Sequence, residues 1–245
     1  MRIIQTPDYN GMSIEVARII AAQLSLKPDC VLGLATGSTP TLAYQYLSEW
    51  GNQWLDFSKA TSVNLDEYRG LPKDHEQSYH YFMQKHLFQN VPIRPNRTFL
   101  PDGMEPDIER ACQDYDDVIR YVGGIDLQLL GLGHNGHIGF NEPDTCFAKG
   151  THCVDLSEQT IQANKRFFQS EDDVPRQAYT MGIKNILSAR RILIAVSGKD
   201  KAHIVKEAFF GPVTPQVPAS ILQFHQDATL VADKDALSEC EGLLP

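Results

Sequence analysis

Residues 130–143 read Leu-Gly-Leu-Gly-His-Asn-Gly-His-Ile-Gly-Phe-Asn-Glu-Pro. An apolar run from Ile125 to Leu132 opens here into four glycines, two histidines and an Asn-Glu-Pro stop. His137 and Glu142 titrate and Asn135 both donates and accepts hydrogen bonds, which is equipment for proton transfer near neutral pH. A second segment, Asn64-Leu65-Asp66-Glu67-Tyr68-Arg69, sets two carboxylates side by side, as general-base work needs. Successive side chains of an extended chain point opposite ways, so one of Asp66 and Glu67 faces a crevice and the other is structural. Taken alone, a turn-forming Asp or an ion pair with Arg69 explains that segment equally well.

Anion-binding residues accompany these. Ala35-Thr36-Gly37-Ser38-Thr39-Pro40 joins a bend glycine, hydroxyls and a helix start, so the backbone N–H groups and hydroxyls around Gly37, Ser38 and Thr39 can cradle a phosphate. An ordinary helix cap uses the same residue types. No Gly-Lys-Ser/Thr follows, so this is not a Walker loop. Lys201, in Ser197-Gly198-Lys199-Asp200-Lys201, opens a helix where it can neutralise a phosphate; a solvated lysine is the plainer reading. Arg166 offers a planar fork suited to phosphate, beside aromatics that suit packing. His134 and His137 lack a third ligand, so no metal site is expected, and His134 reads as a turn residue.

These residues need a scaffold that brings loop ends together. Continuous apolar runs at Cys30–Leu34, Thr61–Leu65, Ile125–Leu132, Ile192–Ser197 and Thr229–Ala232 read as strands covered on both faces. Between them lie helical patterns. Ile108, Ala111, Cys112, Tyr115, Val118, Ile119 and Val122 make one apolar stripe, and Ser13–Leu24 makes another. Further helices are expected from Thr39-Pro40 to Trp50 and over Lys201–Phe210. The alternation predicts an α/β fold: a doubly wound, mostly parallel, Rossmann-like sheet flanked by helices on both faces. Such sheets bind ligands at the carboxyl ends of their strands, where the motifs above fall. Residues 144–180 are less regular and polar, and a lid is expected within them.

The 245 residues suit a single domain spanning 1–245, with 42% hydrophobic residues to build its core. A net charge of −9 and a pI near 5.3 argue against nucleic acid or an anionic membrane as partner. No run approaches the roughly 18 apolar residues of a membrane span. The N-terminus shows no charged-then-apolar leader. Five cysteines without CxxC spacing read as free thiols of a cytoplasmic protein.

Over nearly the whole chain, these segments resemble the glucosamine-6-phosphate deaminases. Thr-Gly-Ser-Thr-Pro is shared with the wider sugar-phosphate isomerase and lactonase superfamily, whereas Asn-Leu-Asp-Glu-Tyr and Gly-His-Ile-Gly-Phe-Asn-Glu-Pro are specific to the deaminases. The resemblance implies conversion of glucosamine 6-phosphate and water to fructose 6-phosphate and ammonia, without metal or organic cofactor. It implies Asp66 as the enolisation base, His137 as the ring-opening group and Glu142 as its supporting carboxylate. Asn135 falls on a third ring-opening position that is Asp in many members; here it is expected to position the histidine. Gly37, Ser38, Thr39, Arg166 and Lys201 fall on the phosphate contacts. Longer members are hexamers activated by N-acetylglucosamine 6-phosphate through basic residues that become His152 and Val154 here, and through a C-terminal extension. A non-allosteric monomer is therefore expected. A 6-phosphogluconolactonase shares the phosphate loop and the Gly-x-x-Gly-His element but lacks the deaminase motifs. A non-catalytic sugar-phosphate sensor carries an N-terminal helix-turn-helix, for which this sequence leaves no room.

Overall fold

The computed structural model describes residues 1–156, 161, 165, 168, 170, 174–240 and 242–243. In chain order the elements are β1 (Arg2–Thr6), α1 (Tyr9–Leu26), β2 (Val31–Leu34), α2 (Thr41–Gly51), β3 (Thr61–Asn64), β4 (Asp66–Tyr68), α3 (Tyr79–His86), β5 (Thr98–Phe99), α4 (Ile108–Tyr121), β6 (Leu127–Leu130), β7 (His152–Asp155), β8 (Gln177–Thr180), α5 (Ile183–Leu187), β9 (Arg191–Val196), α6 (Ala202–Phe210) and β10 (Ala228–Asp233).

Seven strands form one sheet in the order β1-β10-β9-β6-β2-β3-β5, and every neighbouring pair is parallel. The chain enters the middle at β2 and steps outward through β3 to β5. It then returns on the other side of β2 with β6 and continues outward through β9 to β10. Right-handed crossovers therefore set α1 and α2 on one face and α4, α5 and α6 on the other. The reversal falls between β2 and β6, so a crevice opens beyond their carboxyl ends.

The middle strands are apolar because both faces are covered. Paired residues Leu129–Leu193 and Leu130–Ile194 are at most 1% exposed. Each such side chain contributes about 1.5–3 kcal/mol by leaving water, so the crevice loops spring from a firm platform. The α4 stripe packs as expected through Ala111, Tyr115 and Ile119, although Ile108 at its start stays exposed.

The expected parallel sheet is accompanied by a second, three-stranded antiparallel sheet in the order β4-β8-β7. The Thr61–Leu65 run ends as a strand at Asn64; Leu65 turns the chain and Asp66 begins β4. Residues 157–160, 162–164, 166–167, 169 and 171–173 of the segment where a lid is expected lie outside the described residues. Two strands, β7 and β8, lie within that segment. Their pairing needs partners distant in sequence, and short polar strands show no apolar run.

Candidate active site

Three carboxyl-terminal loops meet at the switch point. The loop after β6 holds His137, Glu142 and Asn135. His137 Nδ1 is buried and lies 3.3 Å from Glu142 Oε1. Asn135 Nδ2 donates to Glu142 Oε2 at 2.5 Å, while Asn135 Oδ1 accepts from the His137 backbone N–H at 3.2 Å. Asn135 thus positions Glu142 and the loop backbone; it does not reach the imidazole. A neutral amide suits this place, because an aspartate there would set two like charges together. Gly133 lets the His137 ring pack against the backbone: a Cβ on it would fall 2.3–2.4 Å from the ring atoms, so the ring would have to move. The imidazole lies directly on the glycine backbone.

Asp66 faces this loop across Gly139. A Cβ on Gly139 would lie 3.4 Å from Asp66 Oδ2 and 2.9 Å from Thr180 Oγ1, and Gly139 has φ +59°. Thr180 pairs with Asp66 across β4–β8, and its Oγ accepts from the Phe140 N–H at 3.1 Å. The Tyr68, Tyr79 and Phe140 rings pack on one another, with Tyr68 and Tyr79 centroids 4.8 Å apart. Asp66 is 6% exposed. Burial first, and the neighbouring Glu67 charge second, push its pKa up to about 8.

Glu67 is the structural member of the pair. Its Oε1 accepts from the N–H groups of Tyr68 and Tyr79, at 2.9 and 2.8 Å, and its Oε2 from His80 N–H at 2.8 Å. It thereby closes the amino end of α3, whose own first turn has no acidic residue. Burial raises the Glu67 pKa to about 7, against the lowering effect of these three N–H groups. Arg69 makes its bonds to Gln177 and to the Pro106 carbonyl, not to either carboxylate.

The loop after β2 carries Gly37, Ser38 and Thr39. Gly37 has φ +90°. Tyr9 at the start of α1 fixes the loop, its hydroxyl lying 3.0 Å from the Ser38 carbonyl and 3.2 Å from that of Thr39. Sequence reasoning missed Tyr9, because a tyrosine some thirty residues upstream carries no local signal. Lys201 follows β9, two strands from β2. Its Nζ donates to the Leu132 carbonyl at 2.9 Å, so it is tied to the β6 loop. Burial lowers its pKa from the usual lysine value. Arg166 lies outside the described residues. His134 is an exposed turn residue, as expected. Among the described residues no group of three or more His, Cys, Asp or Glu is arranged to hold a metal ion.

A doubly wound sheet with a glycine-bend loop, a buried carboxylate and a histidine–carboxylate pair beyond its strand ends is the architecture of a family of sugar-phosphate enzymes. The chain belongs to the family of glucosamine-6-phosphate isomerases and 6-phosphogluconolactonases, whose model matches residues 10–231. Within it, the chain is 54% identical over 239 residues to the glucosamine-6-phosphate deaminase of Halothermothrix orenii, covering 97% of this chain and 99% of that one. The deaminase of Clostridioides difficile is 51% identical over 240 residues, covering 98% and 96%. The solved structure of a monomeric glucosamine-6-phosphate deaminase superposes with a TM-score of 0.94 at 46% identity, covering 98% of this chain and all of that one. A 6-phosphogluconolactonase from Thermotoga maritima shares the fold, with a TM-score of 0.75 at 23% identity and coverage of 95% and 99%.

Proposed function

We propose that this chain is a glucosamine-6-phosphate deaminase, converting glucosamine 6-phosphate and water to fructose 6-phosphate and ammonia. The observation that carries the reading is Asp66: a buried carboxylate set against Gly139 of the loop that holds His137 and Glu142, its pKa pushed up to about 8 by burial. Carbon-acid chemistry needs such a base, held dry and close to a second proton-transfer group.

The substrate enters as a closed ring. His137 takes the proton of the anomeric hydroxyl and returns it to the ring oxygen, giving the open aldehyde. Glu142, held by Asn135, supports the imidazolium in between. Asp66 removes the proton from C2, and the electron pair moves toward the C1 oxygen, which takes a proton from the C2 ammonium to give an enolamine. The substrate's ammonium against Asp66 favours the ionised base, offsetting the burial that raises its pKa. Asp66, its carboxyl proton exchanging with solvent, protonates C1 and leaves an iminium at C2. Water adds there, and ammonia departs as its oxygen becomes the ketone. The Gly37–Thr39 loop, Lys201 and Arg166 hold the phosphate, so binding energy far from the reacting carbons orients them.

The steps are proton transfers and hydrolysis and call for no cofactor. A monomer in the cytoplasm fits this reading: the cysteines are free, and the protein of the 46% identical structure is monomeric. Ammonia and fructose 6-phosphate formed together from glucosamine 6-phosphate support the assignment. Sugar-phosphate binding without ammonia release refutes it, as does hydrolysis of 6-phosphogluconolactone in its place.

A further inference from the structure

His134 and Asp200 lie outside the proton-transfer machinery, yet they are joined to Lys201. Asp200 Oδ2 sits 2.6 Å from His134 Nε2, and His134 Nδ1 sits 3.2 Å from Lys201 Nζ. A lysine ammonium has only hydrogens to give, so His134 Nδ1 must be the acceptor and carries no proton. The remaining imidazole proton then sits on Nε2 and donates to Asp200, which fixes the tautomer. This agrees with the lowered Asp200 pKa, whose largest cause is the His134 hydrogen bond. Lys201 gives one hydrogen to Leu132 O and one to His134. Among the described residues these are its partners, which leaves one of its three hydrogens for an anion.

We infer that His134, oriented by Asp200, is a positioning residue for substrate phosphate: it fixes the direction of the one Lys201 hydrogen left free. The inference rests on Lys201 being a phosphate contact. The chain from Asp200 through His134 to Lys201 ties the loops after β6 and β9 at the crevice edge, and it replaces the rotational freedom of a long side chain with one orientation. Part of the ordering entropy of binding is thereby met before substrate arrives. Both His134 and Asp200 are exposed, so the fold does not depend on them.

The test compares steady-state deamination, and competitive inhibition by inorganic phosphate, in His134→Ala, His134→Asn, Asp200→Ala and Lys201→Ala. Asn presents an acceptor oxygen where His134 has Nδ1. Loss of one such hydrogen bond should raise KM in His134→Ala and Asp200→Ala by about three- to tenfold, weaken phosphate inhibition in parallel and leave kcat within about twofold. His134→Asn should restore KM toward the parent value. An unchanged KM in His134→Ala beside a raised KM in Lys201→Ala overturns the inference, as does a fall in kcat at constant KM. An unchanged KM in Lys201→Ala refutes the phosphate assignment of Lys201 itself.

Discussion

Replacing Asp66 by Asn should abolish deamination and make the protein more stable. Asp66 is 6% exposed and its pKa is pushed from 3.8 to about 8. The folded state therefore holds a proton that the unfolded chain gives up near pH 4. Between those two values the native protein binds more protons than the unfolded one, so the Asp66 contribution to stability falls as pH rises and levels off above about 8. Each unit of pKa difference corresponds to about 1.4 kcal/mol, which sets an upper bound of about 4 kcal/mol on the cost of Asp66 at pH 7. Glu67 shares part of that cost, and Asn keeps the shape without the charge, so roughly half the bound is the expected gain. For a chain of this length it is a rise of about 4–8 °C in unfolding midpoint at pH 7. Parent and variant should converge near pH 4.5. Thermal unfolding followed by circular dichroism at pH 4.5, 6, 7 and 8 measures this. A stability difference that stays flat across that range, or that turns against Asn as pH rises, refutes the claim that burial governs this carboxylate.

Two further outcomes follow from neighbouring contacts. Glu67→Gln removes the like charge beside Asp66, so the acidic limb of the kcat/KM profile should move to lower pH; the lost acceptor at the start of α3 should cost about 1–2 kcal/mol by chemical denaturation. Gly133→Ala drives a methyl into the His137 ring, and because small misplacements of a reacting group are costly, kcat should fall about a hundredfold with KM and the folded state little changed.

The central strands were legible because burial on both faces forces unbroken apolar runs: β2, β6 and β9 fall within the expected segments to within a few residues. The small sheet was not. Asp66–Tyr68, His152–Asp155 and Gln177–Thr180 are short and polar, and only their mutual pairing identifies them as strands. Alternation along β4 showed that Asp66 and Glu67 point apart, but their roles depend on where α3 begins. A sequence signal for Glu67 did exist, since α3 has Ser78 as its cap and no acid of its own in the first turn. The grip of Asn135 on Glu142 spans seven residues of loop, and no periodic pattern encodes it. The same holds for the contact from Tyr9 to Ser38 and Thr39.

The most direct test of the account follows solvent hydrogen into C1 of fructose 6-phosphate formed in D2O, by NMR, for the parent, Asp66→Asn and His137→Gln. Asp66 is assigned the carbon proton and His137 only the opening of the ring. His137→Gln should therefore still place deuterium at C1, at a rate limited by spontaneous ring opening, while Asp66→Asn should incorporate none above background. Incorporation by Asp66→Asn near the parent rate would contradict the account.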